Sequence, residues 1–402
     1  MKSRLEMEKE KNPSACQKAR WTTRQWLPIS LAICGALVSL WLRYSLRTHV
    51  TNDILCCLGT WYDYIKQDGH YAFINAFSNL AMPILYAWYL ISLLFPDLST
   101  LIAIKIPAVI CDFILAFYFY KIVSIKTANP YVRLAAFLVP LFTPTVFLNS
   151  AWWGQFDSVY TAPILAGLYY LLKKREATAC LFFGLAFSVK FQMAFILPFL
   201  LILLLCRFVN WKSFLLIPAV YLVSILPAWL QGRPLIDLLL IYARQAGQYE
   251  RLSMNAPTVY NWISDKYFNP AYPIGIIVAA LATFSFVFFA WRKFRSSPLE
   301  TGDFLHLALI STLILPTLLP MMQGRYYYQA EILALALAFY IPRRFYWAVI
   351  LQILALYTYG RYFFGYDVPG IGLKIGSIVL LALLVDIVLT CFHKKYTPPS
   401  PS

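Results

Sequence analysis

Long apolar runs separated by short polar stretches set the pattern of this chain from end to end. Runs at roughly 27–44, 80–96, 101–122, 133–151, 158–172, 177–206, 213–230, 273–291, 304–320, 329–341, 344–359 and 371–391 read as helices for a hydrocarbon core of about 30 Å. The run 177–206 is long for one span and carries Lys190 and Pro198. It predicts two short or re-entrant helices, a shape tolerated where backbone lines a cavity. Two polar stretches, 47–79 and 231–272, are sizeable, and each holds an amphipathic piece, "TWYDYIKQ" and "LIDLLLIYARQ", suited to lying along an interface. No remaining stretch is long enough to fold separately. The pattern predicts an all-α polytopic membrane protein of about 11–13 transmembrane helices, with short amphipathic helices in its outer loops. Its expected organisation is a cytoplasmic tail at 1–26, one integral domain over 27–391, and a cytoplasmic tail at 392–402. The polar start is too long for a signal-peptide n-region, and no small-residue cleavage site follows "LPISLAICGALVSLWL", so the first helix is expected to be retained.

Composition agrees with a membrane setting: 60% of residues are hydrophobic and 13% charged, against about a quarter charged in soluble domains. The net charge of +16 does not point to nucleic acid. Its basic residues fall in short clusters between apolar runs: Lys173, Lys174 and Arg175; Arg292, Lys293 and Arg295; Arg343 and Arg344; Lys394 and Lys395. That is the signature of the positive-inside rule. Counting back from the C-terminus puts these clusters on one side and the segments 151–157, 231–272, 321–328 and 360–370 on the other. Counting forward from a cytoplasmic N-terminus puts 47–79 on that same outer side. The two counts collide by one crossing between residues 80 and 133. Either one of the segments 80–96 and 101–122 stops short of spanning, or Lys121, Lys126 and Arg133 lie outside against the rule.

The chain has eight cysteines and four histidines, with no CxxC pair and no Cys/His metal spacing. No metal and no cofactor is expected.

Polar residues without a topological reason concentrate in a few places. Asp53 follows the first helix closely in "NDILCCLGTWYDYIKQDG", where it suits a helix N-cap or a general base held at the membrane surface. Asp63 and Asp68 read as loop residues, Asp68 because Asp-Gly marks a turn. "NSAWWGQFDSVY", residues 149–160, sets Trp153, Gln155 and Asp157 around Gly154, an aromatic and amide knot suited to a ring-shaped polar group such as a sugar. "SVKFQM" embeds Lys190 and Gln192 in an apolar run; a lysine there faces a cavity or an anionic partner, or snorkels. "MMQGRYYYQAE" places Arg325 on the outer side next to Tyr326, where a guanidinium can clamp a phosphate or touch a lipid headgroup. Together these residues suit transfer from a lipid phosphate: a cation neutralises the leaving phosphate while Asp53 takes the acceptor's proton. An ion-coupled transporter or a flippase of a lipid-linked or small polar solute is the rival reading. A transporter would want carboxylates at the midplane and internal repeats; Asp112 and Asp386 are the intramembrane acids the pattern offers, and no repeat is found.

Six stretches, taken in order, resemble the GT-C superfamily of membrane glycosyltransferases, specifically the bacterial branch related to the second mannosyltransferase of GPI-anchor synthesis. They are "ND…TWYDYIKQDG…FSNLAMPILYAWYLISLLFPD", "IKIPAVICDFILAFYFYKIV", "LNSAWWGQFDSVYTAPILAGLYYLLKKR", "GLAFSVKFQMAFILPFLL", "LSMNAPTVYNWI" and "LLPMMQGRYYYQAEILAL", covering most of the chain from about residue 50 to 360. The resemblance implies a GT-C-type bundle, with Asp53 as the acid of the first outer loop that deprotonates the acceptor. It implies a polyprenyl-phosphate sugar as donor, with mannose the guessed hexose, a lipid- or glycan-linked acceptor, inversion at the anomeric carbon, and no nucleotide or required metal. The chain departs from the pattern twice. Gln323 and Gly324 stand where relatives often show histidine-glutamate, and Asn79-Leu80-Ala81 where asparagine-tyrosine is followed by proline. The absence of an Asn-x-Ser/Thr sequon fits a bacterial inner membrane.

Overall fold

The computed structural model describes residues 13–245, 250–364 and 370–393. The ends of both expected tails, with Lys394 and Lys395, lie outside the described residues. The apolar runs form helices as the pattern predicts: α1 Pro13–Leu46, α2 Gly59–Asp68, α3 Met82–Leu94, α4 Ile106–Lys126, α5 Pro130–Phe142, α6 Asp157–Leu172, α7 Glu176–Val189, α8 Leu197–Leu205, α9 Leu216–Leu230, α10 Phe268–Phe294, α11 Thr301–Leu318, α12 Tyr328–Tyr340, α13 Tyr346–Phe364 and α14 Gly370–His393. Among the described residues, six helices are long and apolar enough to cross a membrane, or seven if the bent pair Pro130–Phe142 and Pro144–Trp153 is one span. The protein is an all-α, multi-pass membrane protein. The other expected spans are shorter apolar helices, such as Glu176–Val189 and the Phe191–Leu205 pair. Leu and Ile stay exposed on the outer helices, Leu37 at 62% and Ile277 at 57% for example, as a lipid-facing surface requires.

Side-chain contacts define two ends of the bundle. At one end Lys126 donates to the carbonyls of Phe339 and Tyr340, Arg344 pairs with Asp386 at 3.1 Å, Lys293 donates to the Cys391 carbonyl, and Glu176 accepts from the Asn210 amide. This end gathers the basic clusters, the pattern that the positive-inside rule describes, and is called the inner end. At the other end lie Asp53, Trp153, Gln155 and Arg325, joined to one another. Lys105, just before α4, also belongs there: its Nζ donates to the carbonyls of Arg47 at 3.1 Å and His49 at 2.7 Å.

Those contacts settle the colliding counts. Helix α4 runs from Lys105 at the outer end to Lys126 at the basic end, so Lys121, Lys126 and Arg133 obey the rule. Helix α3 is the one that fails to span. Asn79, before it, is held by Gln245 of the second outer loop, while Thr100, after it, hydrogen-bonds Asp63 of α2. Both ends of α3 therefore sit on the outer side, and thirteen residues give about 20 Å at 1.5 Å each, less than the hydrocarbon core. Asp63 is helical, not in a loop, and it pins α2 to this return. Asp68 ends α2, with Gly69 following at φ 60°, the turn that Asp-Gly predicts. Asp386 lies near the basic end with its side chain 36% exposed, so it is no midplane acid. Glu331 of α12, fully buried, is one that the pattern reading missed.

Candidate functional site

Two local irregularities aim the first side chains. Ile54–Leu58 is wound as a π-helix directly after Asp53, and Leu148–Trp153 is a second such turn; wide turns of this kind re-aim side chains and gather at functional positions. Gly154 closes the second turn in the left-handed conformation, φ 80°, which a residue with a Cβ adopts only at a cost. Asp157 then opens α6. The sharp bend explains why Trp153 and Gln155 both reach Asp53 while Asp157, so close in sequence, serves Lys190 and Asn149.

Asp53 Oδ2 collects the donors. Trp153 Nε1 donates at 2.8 Å and Gln155 Nε2 at 2.5 Å, and Arg325 Nη1 lies 3.9 Å away. The Asp53 side chain keeps 30% exposure, so it is held in place without being sealed. Its side chain makes no cap hydrogen bond to the following turn, which sets aside the N-cap reading. The Arg325 guanidinium lies over the Trp153 ring, 5.3 Å from its centroid, and Gln323 Oε1 accepts from its Nε at 2.8 Å. Its Nη1 is buried without a hydrogen-bond partner. Burial alone would weaken the guanidinium's hold on its proton, but Asp157 and Asp53 outweigh that and raise its pKa; it is a permanent cation. Burial keeps the Tyr326 phenol protonated above its ordinary range.

Lys190 stands at the predicted break. Helix α7 ends at Val189, Lys190 is extended at φ −156° and ψ 137°, and a 3-10 turn over Phe191–Ile196 leads into α8. Its Nζ forms an ion pair with Asp157 Oδ1 and lies 5.4 Å from the Tyr160 ring centroid. Asp157 is fully buried, Lys190 only partly so, which rules out snorkelling to the lipid interface. Asn149 Nδ2 donates to the other Asp157 oxygen at 2.7 Å. Asn149 was not singled out from the sequence; its place opening the "NSAWWGQFD" knot is the signal that could have found it. Gln192 is buried, and its carbonyl accepts from Gln329 Nε2 at 2.5 Å.

The outer loops are clipped over this site. Strands β1, Ser253–Met254, and β2, Met322–Gln323, pair in parallel, tying the loop 231–272 to the one that carries Arg325. Gly324 follows β2 where a Cβ would strike Thr358 and come within 2.9 Å of the Asn255 carbonyl. A residue with a longer side chain would not fit at Gly324 without displacing Thr358.

Gln155, Lys190, Gln192, Arg325 and Tyr326 line one cavity of about 470 Å³. Asp53 and Asp157 stand beside it, bonded to the lining Gln155 and Lys190, and Trp153 donates to Asp53 beneath the Arg325 guanidinium. All eight residues singled out from the sequence thus belong to one cluster, and the formal charges of Asp53, Asp157, Lys190 and Arg325 cancel. A cavity of this size, apolar in most of its wall with a few convergent polar groups, is the usual form of a small-ligand site. Among the described residues no group of three or more His, Cys, Asp or Glu could hold a metal. Compared with known proteins, the chain matches no family model and no curated relative.

Proposed function

We propose that this protein is a glycosyltransferase that moves a hexose, mannose by the resemblance above, from a polyprenyl-phosphate sugar to a lipid- or glycan-linked acceptor on the outer face of a bacterial inner membrane. The observation that carries the reading is the meeting of a partly open carboxylate with an under-coordinated arginine at one cavity. Arg325 Nη1 makes no hydrogen bond, its ion-pair partner Asp53 standing 3.9 Å off, and so keeps a donor for the donor's phosphate, and Lys190 supplies a second positive group. In the reaction the acceptor hydroxyl attacks the anomeric carbon from the face opposite the phosphate. The C–O bond to phosphate breaks, the lipid phosphate leaves with that electron pair, and the hydroxyl proton passes to Asp53. Trp153, Gln155 and Arg325 all converge on one Asp53 oxygen, Oδ2. That leaves Oδ1 to take the proton. Arg325 and Lys190 stabilise the charge that builds on the leaving phosphate. Tyr326 and Gln192 offer hydrogen bonds to sugar hydroxyls.

One observation favours a transporter instead: Glu331 is an acid buried inside the bundle, with Gln352 as a donor at 2.9 Å and no cation paired to it among the described residues. A single comparison separates the readings. Purified protein is given labelled polyprenyl-phosphate mannose and a membrane extract, and the label is followed off the lipid; in parallel, sealed vesicles are tested for ion-driven solute uptake. Transfer of label without uptake is expected. Uptake with no covalent product from any polyprenyl-phosphate sugar would sink the transferase reading.

A further inference from the structure

A second pocket opens on the outer side, about 330 Å³ in volume, and shares Asn79 and Gln245 with the first. Its wall holds an anomaly. Arg233 is 2% exposed, yet its Nε has no hydrogen-bond partner, and no carboxylate lies within ion-pair distance of it among the described residues. Its one polar contact is Nη1 to the Met82 sulfur at 4.0 Å, which is weak. A buried, unpaired guanidinium costs several kcal/mol unless something neutralises it. The nearby Asp237 attracts it only at longer range, being ion-paired to Arg244 at 2.5 Å. Ser78 Oγ, also in the wall, is buried and unpartnered too. Two orphaned donors in one pocket call for an acceptor-rich anion.

The surrounding surface says where that anion comes from. In "LIDLLLIYAR", Asp237, Ile241 and Arg244 face the pocket, spaced by four and three residues as one side of a helical path. The other side presents Ile236 at 58%, Leu239 at 41% and Leu240 at 41% exposure. A segment with charged residues toward a pocket and apolar ones outward suits the boundary of headgroups and acyl chains, and a pocket at headgroup depth.

We propose that this pocket binds the phosphate monoester of a membrane lipid headgroup, with Arg233 as its counter-charge and Ser78 as a second donor. On the transferase reading, which this further assignment rests on, it is the seat of a phosphate-bearing lipid-linked acceptor, one wall away from the donor.

Native mass spectrometry of the purified protein with dioctanoyl phosphatidic acid tests it, with no sugar transfer read. Wild type is expected to retain one more phosphatidic acid molecule than Arg233→Gln, while Arg233→Lys keeps it. Equal counts for wild type and folded Arg233→Gln would overturn the site. If Arg233→Gln does not fold, Ser78→Leu, which narrows the pocket from a half-buried position, must lose the same molecule; retention overturns the proposal. Inorganic phosphate is expected to displace that molecule only at concentrations at least about tenfold higher than the lipid, since it lacks the acyl contribution. Displacement at equal concentration would overturn the lipid source. Failure of binding with sugar transfer intact removes this inference alone, and binding without transfer removes the transferase reading alone.

Discussion

The pair of Lys190 and Asp157 gives the most demanding test, because its two halves are buried unequally. Asp157 is fully buried, whereas the Lys190 side chain is 18% exposed and opens on the cavity. Lys190→Met removes the cation and leaves a sealed carboxylate with Asn149 as its remaining side-chain donor. Orphaning a buried charge in this way costs about 3–5 kcal/mol. From its apolar flanks alone, Lys190 looks replaceable by a methionine of similar length; the buried partner reverses that expectation. Asp157→Asn is milder. It keeps the shape and leaves a lysine that water reaches through the cavity and that still faces the Tyr160 ring, so its cost is about 1–3 kcal/mol. The double variant carries no orphaned charge and should be less damaged than the sum of the two, with a coupling of about 2–3 kcal/mol. Unfolding in mixed micelles titrated with SDS and followed by tryptophan fluorescence gives all four free energies. Additive costs, or a greater loss in Asp157→Asn than in Lys190→Met, would refute the reasoning.

Asp53→Asn should bind polyprenyl-phosphate mannose within a few-fold of wild type and transfer it about a hundred- to ten-thousand-fold more slowly; full transfer would remove Asp53 from catalysis. Arg325→Lys keeps the charge but loses the forked geometry, so donor affinity should fall at least about tenfold, read by competition with unlabelled donor. Gly324→Ala forces a Cβ against Thr358 and the Asn255 carbonyl and should cost about 1–3 kcal/mol in the same unfolding assay; an unchanged stability would mean the two loops are less tightly clipped than β1 and β2 indicate. Single cysteines at Asp97 and at Gln67, on a background with all eight native cysteines replaced, should react with an impermeant maleimide from the same side of sealed vesicles. A cysteine at Ala128 should react from the opposite side, and labelling of positions 67 and 97 from opposite sides would restore α3 as a span.

What the sequence revealed and what it hid divide along a physical line. Apolar runs report burial, so the helices, the break at Lys190 and the two large outer loops were all legible from residue type and spacing. Polar residues forced into apolar or aromatic company also stood out, which is why Asp53, Gln155, Asp157, Lys190 and Arg325 could be named before their meeting point was known. Hydropathy does not report depth. "MPILYAWYLISLL" is as apolar as a spanning helix, and only the hold of Gln245 on Asn79 and of Thr100 on Asp63 shows that it turns back. Partnership is equally silent: Lys190 lies 33 residues from Asp157, and nothing in either flank chooses the other. Asp112 was legible as an intramembrane acid, but its neutralisation by Arg43 at 2.8 Å was not, and that pairing matters to the choice between functions. An acid locked to an arginine with Ser150 as a further donor is a structural tie between α1, α4 and the Leu148–Trp153 turn. It holds in register the very turn that presents Trp153 and Gln155 to Asp53. Asp112, one acid a transporter could use, is here spent on positioning the outer site, and the carboxylate left partly open, Asp53, is the one that faces Arg325, whose Nη1 makes no hydrogen bond.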